Sequence, residues 1–371
     1  MEFSINRDIF LKSLSHAYGI IEKKTTLPIL SNILIEAKET KLKITATDLD
    51  IIYSEEVSLD ELKTEGTTTT SASVLYDILR KLESGSKVEL SLQGANKLKL
   101  VSGKSKFNLL CIPSDNFPLS DDKIDLKAFE ISSQKFLNLL NKTKIAISND
   151  ETRHYLNGIY LHKTTLQNKV FLCGVATDSH RLSSSSIEIN SDTNFEPIIL
   201  PKKTIFQLIS LLEQNTGSTK ISNNKSKIKF EVDNGILISK VIDGRFPDYT
   251  KVVPKNNDKI LEIKLNEFKN SIERVTTVSS DKKEGLKMNI TKNTVQLSVN
   301  SPNSGEGIEN VDINFNSEDM TISFNSRYLI DIASQIEHDS ITINLNDPGS
   351  PVLIKDLSDK NSFHVVMPMK I

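Results

Sequence analysis

Asp178, Ser179 and His180 stand side by side, and they are the three residue types from which a nucleophilic acyl-transfer site is made. A hydrolase reading takes the Ser179 hydroxyl as nucleophile, His180 as its base and Asp178 as the group that orients the base. Such triads assemble in space, however, and neighbours in an extended chain point to opposite faces. No Gly-x-Ser-x-Gly elbow is present, so a structural or binding loop is the plainer reading. Gly103-Lys104-Ser105 resembles the tail of a phosphate-binding loop, but the full pattern needs a glycine where Leu98 stands. The 6 histidines show no paired metal-ligand spacing, and Cys111 and Cys173 lie too far apart to suggest zinc. Asp121-Asp122 falls in a polar linker. No catalytic residue, no metal and no cofactor is therefore expected.

The elements around these residues repeat. Ile5, Phe10 and Leu14 recur as Ile131, Phe136 and Leu140, and again as Ile263, Phe268 and Ile272, with offsets of 126 and 132. Each copy reads as a strand end running into a short helix, with the aromatic and the aliphatic four residues later on one face. A second motif, Leu75-Tyr76-Asp77-Ile78, matches Ile205-Phe206-Gln207-Leu208 and Leu329-Ile330-Asp331-Ile332 at offsets of 130 and 124. It too reads as an amphipathic helix behind a capping residue. Helices are predicted over 7–18, 73–82, 133–144, 202–213, 266–275 and 326–337. Alternating text over 41–46, 227–232 and 340–345 predicts half-buried strands. Ser84-Gly85-Ser86, Asp233-Asn234-Gly235 and Asp347-Pro348-Gly349 mark turns. The expected architecture is α+β, with three tandem similar domains at 1–125, 126–254 and 255–371.

At 371 residues the chain exceeds one compact core, which agrees with several domains. Hydrophobic residues at 37% and charged residues at 25% describe a globular chain rather than a disordered one. The opening Met-Glu-Phe-Ser-Ile-Asn-Arg-Asp lacks the apolar run of a secretory signal. No segment is apolar for long enough to span a membrane. Cys111 and Cys173 sit in apolar, strand-like text and are expected as buried free thiols of a reducing cytoplasm. The net charge is −2, which by itself argues weakly against nucleic acid. The six predicted helices nevertheless carry +5 together, leaving −7 on the strands and loops. Helices gathered on one surface would hold a phosphate backbone there while the remaining surface repels it.

Longer strings carry a family resemblance. Thr25-Thr26-Leu27-Pro28-Ile29-Leu30-Ser31-Asn32, Tyr155-Leu156-Asn157-Gly158 and Ala176-Thr177-Asp178-Ser179-His180-Arg181-Leu182 resemble the beta subunit of bacterial DNA polymerase III, the sliding clamp. So do Asp243-Gly244-Arg245-Phe246-Pro247-Asp248-Tyr249 and the terminal Val365-Val366-Met367-Pro368-Met369-Lys370-Ile371. The strings keep the family's order and cover the chain from near residue 25 to its end. The resemblance implies a DNA clamp fold of three similar domains, paired head to tail into a homodimeric ring with helices inside and sheets outside. It implies a processivity factor that encircles double-stranded DNA without sequence preference and hydrolyses nothing itself. An ATP-driven clamp loader would place it on DNA, and the polymerase III catalytic subunit, other polymerases and repair proteins would dock on it. Cytoplasmic location, with no membrane partner, follows.

By family position Lys24, Arg80, Tyr155, Lys202 and Lys203 would face DNA. Ser73 stands where relatives carry a basic residue, and Lys282 and Lys283 could compensate for it. A pocket for short partner peptides would use Arg153, Leu156, Thr177, Ser179, His180, Arg181 and Leu182, together with Pro247 and Val252. Asn325, Tyr328, Val365, Met367, Pro368 and Met369 would complete it. Methionine adapts to varied apolar partners, while proline and aromatic walls need little ordering. Ser179 replaces a common glycine, and the ending is Lys-Ile rather than Arg-Leu. Ring closure would bring Phe107 and Leu109 against Thr277 and Val278 of the second copy, with Thr277 thinning the apolar contact and weakening the dimer. Two readings compete with this one. A hydrolase would lose turnover on His180→Ala, and a scaffold unrelated to DNA would show no salt-dependent retention on circular DNA.

Overall fold

The computed structural model describes residues 1–22, 26–119, 127–279 and 285–369. All six predicted helices are present: α1 (Arg7–Tyr18), α2 (Ala72–Lys81), α3 (Ser133–Lys144), α4 (Lys202–Leu212), α5 (Leu265–Val275) and α6 (Ser326–Ala333). The predicted strands appear as Lys41–Thr47, Lys227–Val232 and Ser340–Leu345. α6 is shorter than its periodicity predicts. The Ser334 hydroxyl donates to the Ile330 carbonyl, and the Gln335 amide donates to Ile332 only three residues back, which tightens and ends the last turn.

Each first-motif helix follows a strand directly, after Glu2–Asn6, Phe129–Ser132 and Lys259–Lys264. Phe10, Phe136 and Phe268 are wholly buried, as are Leu14, Leu140 and Ile272 four residues on. One spacing thus sets the same buried stripe three times. The Asn6 side chain accepts from the amides of Asp8 and Ile9, capping α1, and Ser71 and Asn325 cap α2 and α6 in the same way. The Arg7 guanidinium donates to the carbonyls of Leu79 and Arg80, so the start of α1 satisfies acceptors that the end of α2 leaves open.

The chain forms two compact units that do not follow the three repeats, because the middle repeat contributes to both. The first comprises Met1–Leu137, Thr193–Glu196 and Lys203–Val241. It contains a 13-stranded sheet in which Gly235–Lys240 of the middle repeat pairs antiparallel with Ile51–Ser58 of the first, Leu237 opposite Tyr53. Gly103 has φ +55° in the tight turn between Lys97–Ser102 and Ser105–Ile112, so Gly103-Lys104-Ser105 is hairpin geometry with no helix behind it. Both cysteines are free and buried.

The second unit comprises Asn138–Asp192, Pro197–Lys202 and Ile242–Ile371. It has a 9-stranded and a 4-stranded sheet. Arg181–Ile189 of the middle repeat pairs there with Asp359–Val366 of the last, Leu182 opposite Val365. One core lies under α5 and α6, around Phe268, Leu297, Phe315 and Phe324. A second, smaller cluster lies on the other face of the strands, around Leu156, Leu182, Leu353 and Val365. No described helix is long and apolar enough to cross a membrane.

Candidate functional site, an apolar hollow in the second unit

The smaller cluster opens to solvent as a hollow of about 300 Å³. The turn between Lys169–Thr177 and Arg181–Ile189 forms one wall with Thr177, Ser179, His180, Arg181 and Leu182. Pro247, Asp248, Tyr249 and Val252 form another around a short 3-10 turn, and Val365 and Met367 form a third at the end of the last strand. Tyr155 and Leu156 complete the lining.

The turn is built by Asp178. One carboxylate oxygen accepts from the amides of His180 and Arg181 at 3.0 and 2.9 Å, and the other accepts from Arg181 Nε at 3.1 Å. Asp178 therefore organises the loop backbone and orients no histidine ring, which removes the hydrolase arrangement. Arg181 is nearly buried: its Nη1 donates to Asp331 at 2.7 Å, and its guanidinium lies 4.2 Å from the centre of the Tyr328 ring. Ser179 stands at φ +77°, a left-handed backbone that costs a side chain about 1–2 kcal/mol. The Arg153 guanidinium donates to its hydroxyl at 2.6 Å. The Ser179→Val variant, branched at Cβ, is expected to lose about 1–2 kcal/mol in chemical denaturation, while Ser179→Gly stays within about 1 kcal/mol of the parent. Equal midpoints for the two variants would remove backbone strain as the constraint at this position.

Tyr249 is set from behind. The Lys163 carbonyl can only accept, so the proton of His162 sits on Nδ1, 3.1 Å from that oxygen. The other ring nitrogen then accepts from the Tyr249 hydroxyl at 3.1 Å. Tyr160 stacks between His162 and Phe246, with ring centres 4.7 and 4.9 Å apart. Burial lowers the His162 pKa and raises those of Cys173 and Tyr249, so all three stay neutral at pH 7. The aromatic backing of this wall is preorganised and uncharged, with Asp248 its one carboxylate, whereas Met367 at its mouth is 40% exposed and unbranched.

Ten of the fifteen expected pocket residues line the hollow. Of the others, Arg153 and Tyr328 support it through Ser179 and Arg181. Asn325 caps α6, and the Met369 amide donates to Ser323. Pro368 lies outside the lining. Tyr155, expected to face DNA, stands in the hollow's wall. Asp248 and Tyr249 were missed, although they belong to the same string as Pro247. Of the remaining residues expected to face DNA, Lys24, Lys282 and Lys283 lie outside the described residues. Arg80 is exposed beside Asp77 at 3.3 Å, and Lys202 hydrogen-bonds Asn149. Lys203 donates to the Ile20 carbonyl at 2.9 Å and pairs with the Asp48 carboxylate. Ser73 shares a hydrogen bond with the capping Ser71. Among the described residues no cluster of three or more His, Cys, Asp or Glu could hold a metal.

Three strand–helix repeats carrying an apolar hollow define a clamp protein built of three similar domains. The N-terminal, central and C-terminal domains of the DNA polymerase III beta subunit match residues 1–121, 130–248 and 250–370. The chain belongs to that family, the bacterial beta sliding clamps, which are non-catalytic processivity subunits. It is 35% identical to the beta sliding clamp of Caulobacter vibrioides and 31% identical to that of Escherichia coli, each over 100% of both chains. A solved sliding clamp from Caulobacter crescentus superposes with a TM-score of 0.96 at 35% identity over 100% of this chain and 99% of that one. One from Bartonella birtlesii, solved bound to griselimycin, superposes with a TM-score of 0.96 at 37% identity over 100% of both chains.

Proposed function

We propose that this clamp encircles duplex DNA as a head-to-tail homodimer and tethers its partners through the hollow beneath Met367. In this reading the polymerase III catalytic subunit, other polymerases, repair proteins and an ATP-driven clamp loader present short apolar segments to it, and the protein works in the cytoplasm. The observation that carries the reading is the hollow itself: about 300 Å³, walled by rigid proline and tyrosine and gated by a flexible methionine. Arg80, Lys202 and Lys203 would supply phosphate contacts that bind without fixing a register, as sliding requires. Lys203 must exchange Asp48 for phosphate to take part.

Ring closure is supported by two unsatisfied strand edges. Ser105–Ile112 pairs with 97–102 along one side, but on the other, among the described residues, only Cys111 and Ile112 find a partner strand. Among the described residues Gly305–Asp312 likewise pairs on one side only, with 294–301. Leu110, 85% exposed, and Ile308, 55% exposed, mark these edges. Open edges of this kind invite a second chain. Phe107, half-buried, and Leu109, 7% exposed, share one face of that strand by alternation and the exposed Leu110 takes the other, so the edge offers apolar side chains on both faces. Thr277 is exposed and Val278 half-buried in the turn after α5. Leu110→Asp and Ile308→Asp are each expected to weaken dimerisation about tenfold or more, equivalent to about 1–2 kcal/mol. Sedimentation velocity measures this, and a parent protein that stays monomeric at every concentration would exclude the ring.

The deciding experiment loads the clamp with a clamp loader and ATP onto nicked circular plasmid and then linearises the plasmid. Retention on circles in high salt, with run-off from linear ends, is expected. Release that does not depend on DNA ends would overturn encirclement.

A further inference from the structure

The apolar lining does not stop at Val365. Leu353 lies opposite Val365 in the pairing of Val352–Asp356 with Asp359–Val366. Alternate residues of these strands face two ways. Val352, Ile354 and Val366 enter the helix-backed core, whereas Leu353, Phe363 and Val365 join the cluster beneath the hollow. From Val365 the same strip runs through Leu353 and Phe363 into a second hollow of about 430 Å³, which Val253 and Leu357 also line. Val253 adjoins Val252 of the first hollow in sequence, and Leu357 is 51% exposed.

The charges at this second hollow are not equivalent. The Asp356 carboxylate accepts from the amides of Glu337 and Ser358, both at 2.8 Å. Asp359 accepts from the buried Lys142 at 2.7 Å and from the Asn361 amide at 2.9 Å. Glu337 lies 3.7 Å from the same lysine. Both lining carboxylates are thus engaged by the fold. Lys355 and Lys360 are exposed at the same hollow, and among the described residues neither forms an ion pair. The result is an apolar floor with two available positive charges, continuous with a neutral pocket.

We propose that the second hollow is an extension subsite for the segment flanking a partner's pocket-binding residues, selecting acidic side chains together with one large apolar one. The inference rests on the first hollow being the docking pocket. The apolar side chain packs on Leu353, Leu357 and Phe363, and the acidic ones meet Lys355 and Lys360. Charge complementarity of this type adds specificity and association rate, and it is sensitive to salt.

The test uses the full chain and fluorescein-labelled peptides followed by anisotropy. One peptide is an apolar five-residue core. Others carry Asp-Leu-Asp-Phe or Lys-Leu-Lys-Phe at either end, and griselimycin serves as competitor for the first hollow. An acidic extension at one end is expected to tighten binding about fivefold to tenfold at low salt, while the basic extension gives no gain. Lys355→Glu with Lys360→Glu should abolish the gain and leave binding of the core unchanged. If the core binds and griselimycin displaces it, but neither extension matters or both help equally, the extension subsite is wrong and the pocket stands. If neither griselimycin nor the core binds, the pocket reading fails and this inference with it. Binding of a short duplex oligonucleotide that Lys355→Glu abolishes, without effect on peptides, would assign the charges to DNA and overturn the proposal.

Discussion

Arg181→Ala should cost the protein several kcal/mol of stability and the shape of the apolar hollow in a single step. The side chain is 10% exposed and makes three contacts: Asp178 at 3.1 Å, Asp331 at 2.7 Å and the Tyr328 ring at 4.2 Å. Truncation leaves Asp178 and Asp331, 16% and 29% exposed, without their cation. Breaking a buried pair by removing one partner costs about 3–5 kcal/mol, and the partial exposure of Asp331 places this case near the lower end. The turn over 177–182 loses the side-chain bond from Arg181 to Asp178 and keeps the bonds from the amides of His180 and Arg181 to Asp178 and those of the Thr177 hydroxyl. A urea midpoint by circular dichroism and the anisotropy of a labelled apolar five-residue peptide measure the two effects. Arg181→Lys keeps the charge but not the fork, and should recover part of the stability and little of the affinity. A midpoint unchanged in Arg181→Ala would remove the ion-pair network as the support of this wall.

Mild acid should destabilise the second unit before carboxylates are titrated. His364 is buried on the strand that ends in the hollow, with Nδ1 2.9 Å from the Ser183 hydroxyl. Burial, reinforced by the positive charges of Lys142 and Arg181, lowers its pKa to about 3, with Asp356 and Asp359 working weakly the other way. At pH 7.5 the ring is neutral in both the folded and the unfolded chain, and it contributes no pH dependence. As pH falls below about 6.5, the unfolded chain takes up a proton that the folded chain cannot, so stability is lost progressively towards pH 3. By pH 5 the loss from His364 alone is about 2 kcal/mol. His162, whose pKa burial also lowers, acts in the same direction. Burial opposes ionisation of Asp359, but Lys142 holds its carboxyl below the usual value, so that contribution disappears only in stronger acid. Urea midpoints at pH 7.5 and pH 5.0 test the expectation, and His364→Gln should flatten the difference. Equal midpoints in the parent protein would show that the ring is protonated without cost.

The helices, the three repeats and most of the hollow's residues are legible in the sequence. Phe10, Phe136 and Phe268 announce their burial because helix periodicity is local: an aromatic followed four residues later by an aliphatic can only share a face. The family strings named Thr177, His180, Pro247 and Met367 through resemblance, and the fold brings them to one cavity. What the sequence left open concerns contacts between distant segments. Only strand pairing decides that the middle repeat contributes to two compact units, since Leu237 meets Tyr53 and Leu182 meets Val365 through registers that no local pattern encodes. Tyr155 is expected by resemblance to face DNA, and the fold sets it in the hollow's wall. Lys203 reads as a free cation until Asp48, distant in sequence, meets it. Leu110 differs from Leu109 by one residue, yet strand alternation turns one outward and buries the other. Burial and charge pairing across such separations depend on which faces the folded chain covers, and the tertiary structure alone sets those.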